Sequence, residues 1–222
     1  AAAARPAAAR PDVMILSAAD YDRCAEATEA AIAAGITVCG ENRAQEFTQH
    51  WQDGAYEGAK VHFIGHLQKN KLKYLVGKVD MIESVDSEEL IRLIDKRAQN
   101  LGIVQDILIE VNIGGEASKS GVKPEEAEAL VALAASLSSV EPRGLMAIPP
   151  VAHEPGANRA VFAAMRQLFI DIKGKTYDNK VNIDCLSMGM SGDFEDAIAE
   201  GATQVRVGTA LFGARPANRV NG

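Results

Sequence analysis

Short apolar runs alternate with helix-forming segments along the whole chain, and this alternation limits the possible folds more than any other feature of the sequence. Most of the runs are continuously apolar rather than alternating, which indicates strands buried on both faces, as in parallel sheets. Eight strands are predicted, at residues 13–16, 37–41, 60–65, 81–85, 106–113, 143–148, 185–190 and 204–207. Because a segment of helical composition follows each strand, the sequence predicts a repeated βα unit.

Helix signals support the same alternation. Asp86 or Ser87 can cap a helix whose first turn carries Glu88 and Glu89, and Pro124 suits the first turn of a later helix. The predicted helices cover residues 22–34, 44–51, 69–76, 88–100, 124–137, 155–172 and 193–200, and a last one starts at residue 210. No break in composition divides the chain. We therefore predict one (β/α)8 barrel, a TIM barrel, over residues 13–222, after an Ala-rich and poorly ordered terminus over residues 1–12.

An open doubly wound sheet is the alternative architecture. It is disfavoured because no Gly-x-Gly-x-x-Gly follows the first predicted strand. It is also disfavoured because the segments that could bind phosphate follow the last two strands rather than the first.

Both of those last strands end in small residues. Ser191 and Gly192 follow residues 185–190, and Gly208 and Thr209 follow residues 204–207. Glycine lets the backbone approach a ligand, amides and hydroxyls donate to anions, and the loops after barrel strands 7 and 8 commonly bind phosphate. Arg206 lies within an apolar strand, where its charge requires either a bound anion or an internal Asp or Glu. The sequence therefore predicts a phosphate site, with an internal carboxylate as the other possible partner of Arg206.

Other polar side chains are predicted at strand ends, where the active sites of barrels lie. They are Glu41, Asn42, Arg43, His66, Gln68, Asn70, Lys71 and Asn112. Asn42 has two possible roles, contact with a ligand or capping of the next helix. Met146 is most simply explained by core packing, and Lys71 by a solvated helix face. No P-loop, zinc-protease or serine-hydrolase motif is present, so the residues alone predict a barrel that binds a small phosphorylated molecule.

Composition excludes several classes of partner. The formal net charge of −7 argues against a basic face for nucleic acid. The three cysteines, Cys24, Cys39 and Cys185, show no metal-site or disulfide spacing, which is typical of a cytoplasmic protein. No apolar run approaches the ~20 residues of a membrane span.

Several segments together resemble the pyridoxal phosphate homeostasis proteins (YggS/PROSC-type). They are residues 40–46, 62–71, 111–112, 119–121, 144–146, 186–191 and 205–213. The resemblance implies the alanine racemase N-terminal barrel and binding of pyridoxal 5′-phosphate (PLP), without established catalytic turnover, in vitamin B6 and amino-acid homeostasis. It implies that Ser191, Gly192, Arg206, Gly208 and Thr209 bind the phosphate. It also implies that Asn42 and Met146 lie near the pyridine ring.

One position departs from the family pattern. The family carries its Schiff-base lysine just after the first strand, and an ungapped count places Tyr21 there. No lysine precedes Lys60, and a tyrosine cannot form an imine with an aldehyde. Either PLP is bound by phosphate and ring contacts alone, or residues 1 to about 30 do not represent the natural sequence; Lys119 is a weaker candidate for the amine.

Three functions remain open at this stage. The first is a monomeric PLP carrier or regulator that serves PLP-dependent apoenzymes. The second is a PLP-dependent amino-acid racemase, disfavoured because barrel racemases draw a catalytic tyrosine from a second domain. The third is a barrel that binds another phosphorylated metabolite without imine chemistry.

Overall fold

Eight parallel strands close into a barrel in the computed structural model, which describes residues 13–17, 37–116, 119–152, 154–175, 177 and 181–209. Each strand pairs with its neighbours in chain order, and β1 pairs with both β2 and β8. The strands are β1 (Val13–Ser17), β2 (Val38–Glu41), β3 (Lys60–Phe63), β4 (Met81–Val85), β5 (Gln105–Glu110), β6 (Val140–Met146), β7 (Cys185–Met190) and β8 (Gln204–Val207). The predicted barrel is confirmed and the open sheet is excluded.

Six α-helices are described outside this barrel. They are α1 (Ala44–Gln52), α2 (Leu72–Leu75), α3 (Glu88–Leu101), α4 (Pro124–Ser136), α5 (Arg159–Lys173) and α6 (Phe194–Ala199), with a 3-10 turn at Lys69–Lys71 before α2. The helices predicted at residues 22–34 and from residue 210, and the predicted terminus at 1–12, lie outside the described residues. None of the described helices combines the length and the apolar character that a membrane crossing requires.

Helix α3 shows how local sequence fixes an element. The Ser87 hydroxyl accepts a hydrogen bond from Leu90 N at 3.4 Å, and Gly102 ends the helix in the left-handed conformation at φ 67°. Its buried face includes Ile91 and Ile94, which have no exposed surface. Burial of such a side chain stabilises the fold by about 1.5–3 kcal/mol, so this face anchors the helix to the barrel.

Several predicted boundaries were wrong; β3 and β6, for example, both end two residues earlier than predicted, at Phe63 and Met146. Strand β5 ends at Glu110 rather than residue 113, because Val111 already bridges to Val122 in the next loop. Strand β6 begins at Val140 rather than 143, since its first residues continue the ladder with β5. Helix α5 begins at Arg159 rather than 155, because residues 154–158 form turns instead.

The inside of the barrel has two kinds of lining. An apolar cluster of Met81, Leu108, Met146 and Cys185 fills part of the interior, separate from the larger core between strands and helices. Two residues further along their strands, Met81 and Cys185 give way to Glu83 and Ser187, which are fully buried. Because side chains alternate across a strand, these polar residues face the same interior, closer to the C-terminal ends of the strands.

Candidate binding site at the mouth of the barrel

A chain of buried polar contacts crosses the barrel interior below its mouth. Arg206 Nη1 donates to Ser187 Oγ at 2.5 Å, and Nη2 donates to the carbonyl of Ala147 at 2.8 Å. The Ser187 hydroxyl donates in turn to Glu83 Oε2 at 2.6 Å, and Glu83 Oε1 lies 2.7 Å from His62 Nδ1. Side chains of β3, β4, β7 and β8 therefore form one polar network, the interior network.

The charge of Arg206 is only indirectly compensated. Burial lowers the pKa of its guanidinium, against the opposing charges of Glu83, Glu110 and Asp193. Within the described part of the chain, no carboxylate oxygen lies within hydrogen-bonding distance of the guanidinium, since a hydroxyl separates it from Glu83. A buried cation in this position favours the approach of an anion from the open end of the barrel.

The pKa of the Glu83 carboxyl is lowered despite its burial. Burial by itself would raise the pKa of its carboxyl, but the hydrogen bond and charge of His62, the charge of Arg206 and the Ser187 hydroxyl outweigh it and lower the pKa. The internal carboxylate foreseen as a possible partner of Arg206 is therefore present, one hydroxyl away.

The loops after β7 and β8 meet directly. Gly208 N donates to Ser191 Oγ at 3.1 Å, which places the two predicted phosphate-binding segments side by side. Ser191 and Gly208 are half-buried, and Gly192 and Thr209 are exposed. A Cβ added to Gly192 would meet no atom within 4 Å, so there is open space next to these donors.

Asn42 lies at the mouth directly after β2, which only β1 separates from β8. Its backbone packs against Gly65, where an added Cβ would lie 1.9 Å from the Asn42 carbonyl oxygen. Its side chain does not occupy the capping position of α1, because the N-cap residue is Arg43. A cavity of about 340 Å³ adjoins it, and its polar lining residues are Asn42, Arg43, Gln45, His66, Gln68 and Lys71.

Met146 is fully buried in the apolar cluster of the interior, as core packing predicts. It is the last residue of β6 and pairs with Glu110 and Ser187 across the strands. It therefore lies at the level of the interior network, and a ligand entering from the mouth would meet this level.

Several other predicted mouth residues are engaged elsewhere. Glu41 Oε1 lies 2.7 Å from His50 Nδ1 and accepts from Tyr56 Oη, on the side of the strand that faces α1. The hydrogen bond with Glu41 raises the pKa of His50, against the opposing effect of burial. The Asn112 amide donates to the Glu116 carbonyl at 2.8 Å, which shapes its own loop.

Lysines near the mouth also have partners. Lys119 Nζ donates to the Pro149 carbonyl at 2.8 Å and lies 2.6 Å from Glu116 Oε2. Lys69 pairs with Glu89 at the surface, and Tyr21 lies outside the described residues. The described residues contain no cluster of three or more His, Cys, Asp or Glu side chains suited to a metal ion.

Sequence reasoning missed Glu83 and Glu110. Burial, together with the nearby charge of Asp86, raises the pKa of Glu110 to about 7, although Arg206 opposes the shift. The argument that singled out Arg206, a charge inside an apolar strand, applies equally to Glu83 and Glu110 and could have found both.

Most of the chain matches a known class of barrel. Residues 16–216 match the model of the alanine racemase N-terminal domain family, so the chain belongs to this class of (β/α)8 barrel. Alanine racemase of Clostridium difficile has the same fold, with a TM-score of 0.73 at 18% identity over 94% of this chain and 54% of that one.

Within this class, the chain belongs to the pyridoxal phosphate homeostasis protein family. The family member of Aquifex aeolicus is 48% identical over 82% of this chain and 78% of its own length. The member of Pseudomonas aeruginosa is 40% identical over 96% of this chain and 90% of its own. The structure of PipY of Synechococcus elongatus with PLP bound has a TM-score of 0.79 at 33% identity, over 92% of this chain and 94% of that one.

Proposed function

We propose that this protein binds PLP at the mouth of the barrel and acts in vitamin B6 and amino-acid homeostasis. The names of its relatives and the PLP bound to PipY support this proposal. The observation that carries it is the arrangement of Arg206, a buried cation with no directly bonded carboxylate in the described chain, near the meeting point of Ser191 and Gly208.

The residues at the mouth fit a phosphorylated ligand. Ser191 and Thr209 offer hydroxyls, and Gly192 offers a backbone amide, to the phosphate group. The Gly208 amide, which donates to Ser191 Oγ in this structure, would turn from that hydroxyl to the phosphate. Arg206 contributes a positive potential from inside the barrel. Its two described hydrogen bonds go to uncharged groups, the Ser187 hydroxyl and the Ala147 carbonyl, so neither bond neutralises its charge.

Two further residues are assigned to the pyridine ring. Asn42 follows β2, two strands from β8 around the barrel, and Met146 closes the interior at the level of Arg206. A polar amide and a polarisable thioether suit the edge and the face of an aromatic ring.

When bound, PLP supplies an aldehyde that condenses with amines. The chain's own residues bind and orient the cofactor, and this suits a carrier that releases PLP to PLP-dependent apoenzymes. We propose such a role for a cytoplasmic monomer without established turnover. The racemase alternative is not favoured, since the likeness to alanine racemase at 18% identity concerns the fold alone.

A comparison of PLP with pyridoxal, which lacks the phosphate, tests the site. We expect Ser191→Ala to weaken PLP binding about tenfold and to leave pyridoxal binding unchanged, because it removes one charge-assisted hydrogen bond to the phosphate. The measurement is an absorbance titration. Ser136→Ala is the matched control, since Ser136 is an exposed serine at the end of α4. Equal loss for both ligands, or no retention of PLP by the unaltered protein, would contradict the proposal.

Borohydride reduction after PLP loading tests how the cofactor is bound. A reduced adduct on a lysine peptide would establish an imine and identify its amine, which the sequence does not provide before Lys60. PLP that is retained without any adduct would show binding by phosphate and ring contacts alone.

A further inference from the structure

The turn that presents Ser191 and Gly192 is fixed by the carboxylate of Asp193. Asp193 Oδ1 accepts from Met190 N at 2.7 Å, and Asp193 N donates to the Met190 carbonyl at 3.0 Å. Although Asp193 is the N-cap residue of α6, its side chain makes no capping bond to that helix. Its carboxylate therefore shapes the turn before the helix rather than the helix itself.

The second carboxylate oxygen is bound by a residue from another βα unit. Asn158 Nδ2 donates to Asp193 Oδ2 at 2.8 Å and to the Pro150 carbonyl at 2.8 Å. Asn158 is only 4% exposed, although it ends the loop between β6 and α5. A buried amide that bridges two loops fixes their relative position, because breaking either bond would leave a buried polar group without a partner.

The charge of Asp193 makes this bridge relevant to an anion site. A carboxylate close to a bound phosphate is repulsive unless donors satisfy it. Asp193 receives N–H groups on both oxygens, from Met190 and from Asn158, so donors satisfy its carboxylate next to the phosphate-binding turn.

The loop that ends at Asn158 also begins at the site. The Ala147 carbonyl at its start accepts from Arg206 Nη2 at 2.8 Å. The two ends of the β6–α5 loop thus contact the two parts of the phosphate site, the buried cation and the turn after β7.

We propose that Asn158 is a positioning residue for phosphate binding, which acts through Asp193 on the turn Met190–Asp193. This inference rests on the proposed function, and it adds a residue outside the predicted binding set. In this proposal, contacts from the β6–α5 loop determine the geometry of the phosphate-binding turn.

The test measures the affinities of Asn158→Ala for PLP and for pyridoxal by absorbance titration. We expect PLP binding to weaken about tenfold while pyridoxal binding stays unchanged, because a displaced turn loses only its contacts with the phosphate. Asn182→Ala is the matched control. It removes another Asn–Asp hydrogen bond, the 2.7 Å contact with Asp184, at the opposite end of the barrel.

Rescue separates positioning from general stability. Asn158→Asp places two carboxylates against each other, and we expect a larger loss of PLP affinity than with Asn158→Ala. The double variant Asn158→Asp/Asp193→Asn restores the carboxylate–amide pair but not the hydrogen bond to the Pro150 carbonyl, so it should recover part of that loss. If Asn158→Ala does not fold, Asn158→Asp and the double variant still test whether Asn158 positions the turn.

The outcomes are distinct. A lower melting temperature with an unchanged ratio of PLP to pyridoxal affinity, and no recovery in the double variant, would reduce Asn158 to a structural role. Failure of the unaltered protein to prefer PLP over pyridoxal would instead refute the proposed phosphate site.

Discussion

Two arginines at opposite ends of the barrel show how differently the same side chain can be used. Arg143, on β6, donates from Nη2 to both oxygens of Asp184, at 3.0 and 2.8 Å, and from Nη1 to Asp106 at 2.9 Å. Its side chain is 27% exposed. Arg206 is 4% exposed, and its described partners are a hydroxyl and a carbonyl.

The pKa values of the two guanidinium groups move in opposite directions. For Arg143, burial lowers the pKa, but the hydrogen bond and charge of Asp184 and the charge of Asp106 outweigh it and raise the pKa. For Arg206, burial prevails and the pKa is lowered. Arg143 ties strands together with its charge compensated, whereas Arg206 retains a demand for an anion at the end of the barrel where sites are built.

The largest expected effect concerns the stability of the end of the barrel that carries Arg143. Gly144 has φ 151°, and an added Cβ would lie 1.8 Å from the Cys185 carbonyl oxygen, so Gly144→Ala should destabilise the fold by more than about 4 kcal/mol. Gly192→Ala, with no atom within 4 Å of the new Cβ, should change stability by less than about 0.5 kcal/mol. Urea unfolding measures both, and similar losses would contradict the contrast.

Replacement of each arginine by methionine directly tests the difference between Arg206 and Arg143. Arg206→Met should weaken PLP binding about 100-fold, or about 3 kcal/mol, because the buried charge is lost. Arg143→Met should leave PLP affinity unchanged. A PLP titration of both variants measures this difference. Equal PLP affinities of the two variants would show that Arg206 has no role in binding.

The pH dependence of the free energy of unfolding tests the titration of Glu110, a buried carboxyl whose pKa is influenced by the charge of Arg206. Burial and Asp86 raise the pKa of Glu110 from 4.5 to about 7, so the folded state binds more protons than the unfolded state between these values. This contribution to stability is present below pH 4.5 and is lost as the pH rises to about 7.

Glu110→Gln removes this effect, because the amide stays neutral. The variant should be as stable as the unaltered protein near pH 4.5 and more stable by about 3 kcal/mol at pH 8. Urea unfolding across this range measures the difference, and parallel curves for the two proteins would show that Glu110 does not titrate in this way.

The smallest expected effect is the stability lost with the Arg143 cluster. Arg143→Met should cost about 1 kcal/mol, since water can reach the two carboxylates that it leaves behind. Salt should reduce the difference from the unaltered protein. A loss above about 3 kcal/mol would mean that this cluster behaves as a buried pair, like the interior network.

The sequence by itself determined the barrel and the end of it that carries the candidate site. The limits of β7 and β8, residues 185–190 and 204–207, were predicted at both ends, because small residues follow continuous apolar runs there. The meeting of Ser191 with Gly208 follows from the parallel order of adjacent strands, which brings their C-terminal ends to one edge.

Only the tertiary structure decided which charges meet. A strand buried on both faces gives no polarity pattern to show which face points inward, so Ser187 could not be placed from the sequence. Arg206, Ser187, Glu83 and His62 come from four strands, and their contacts exist only because the barrel closes. The bridge from Asn158 to Asp193 spans two loops 35 positions apart, a proximity that local propensity does not encode.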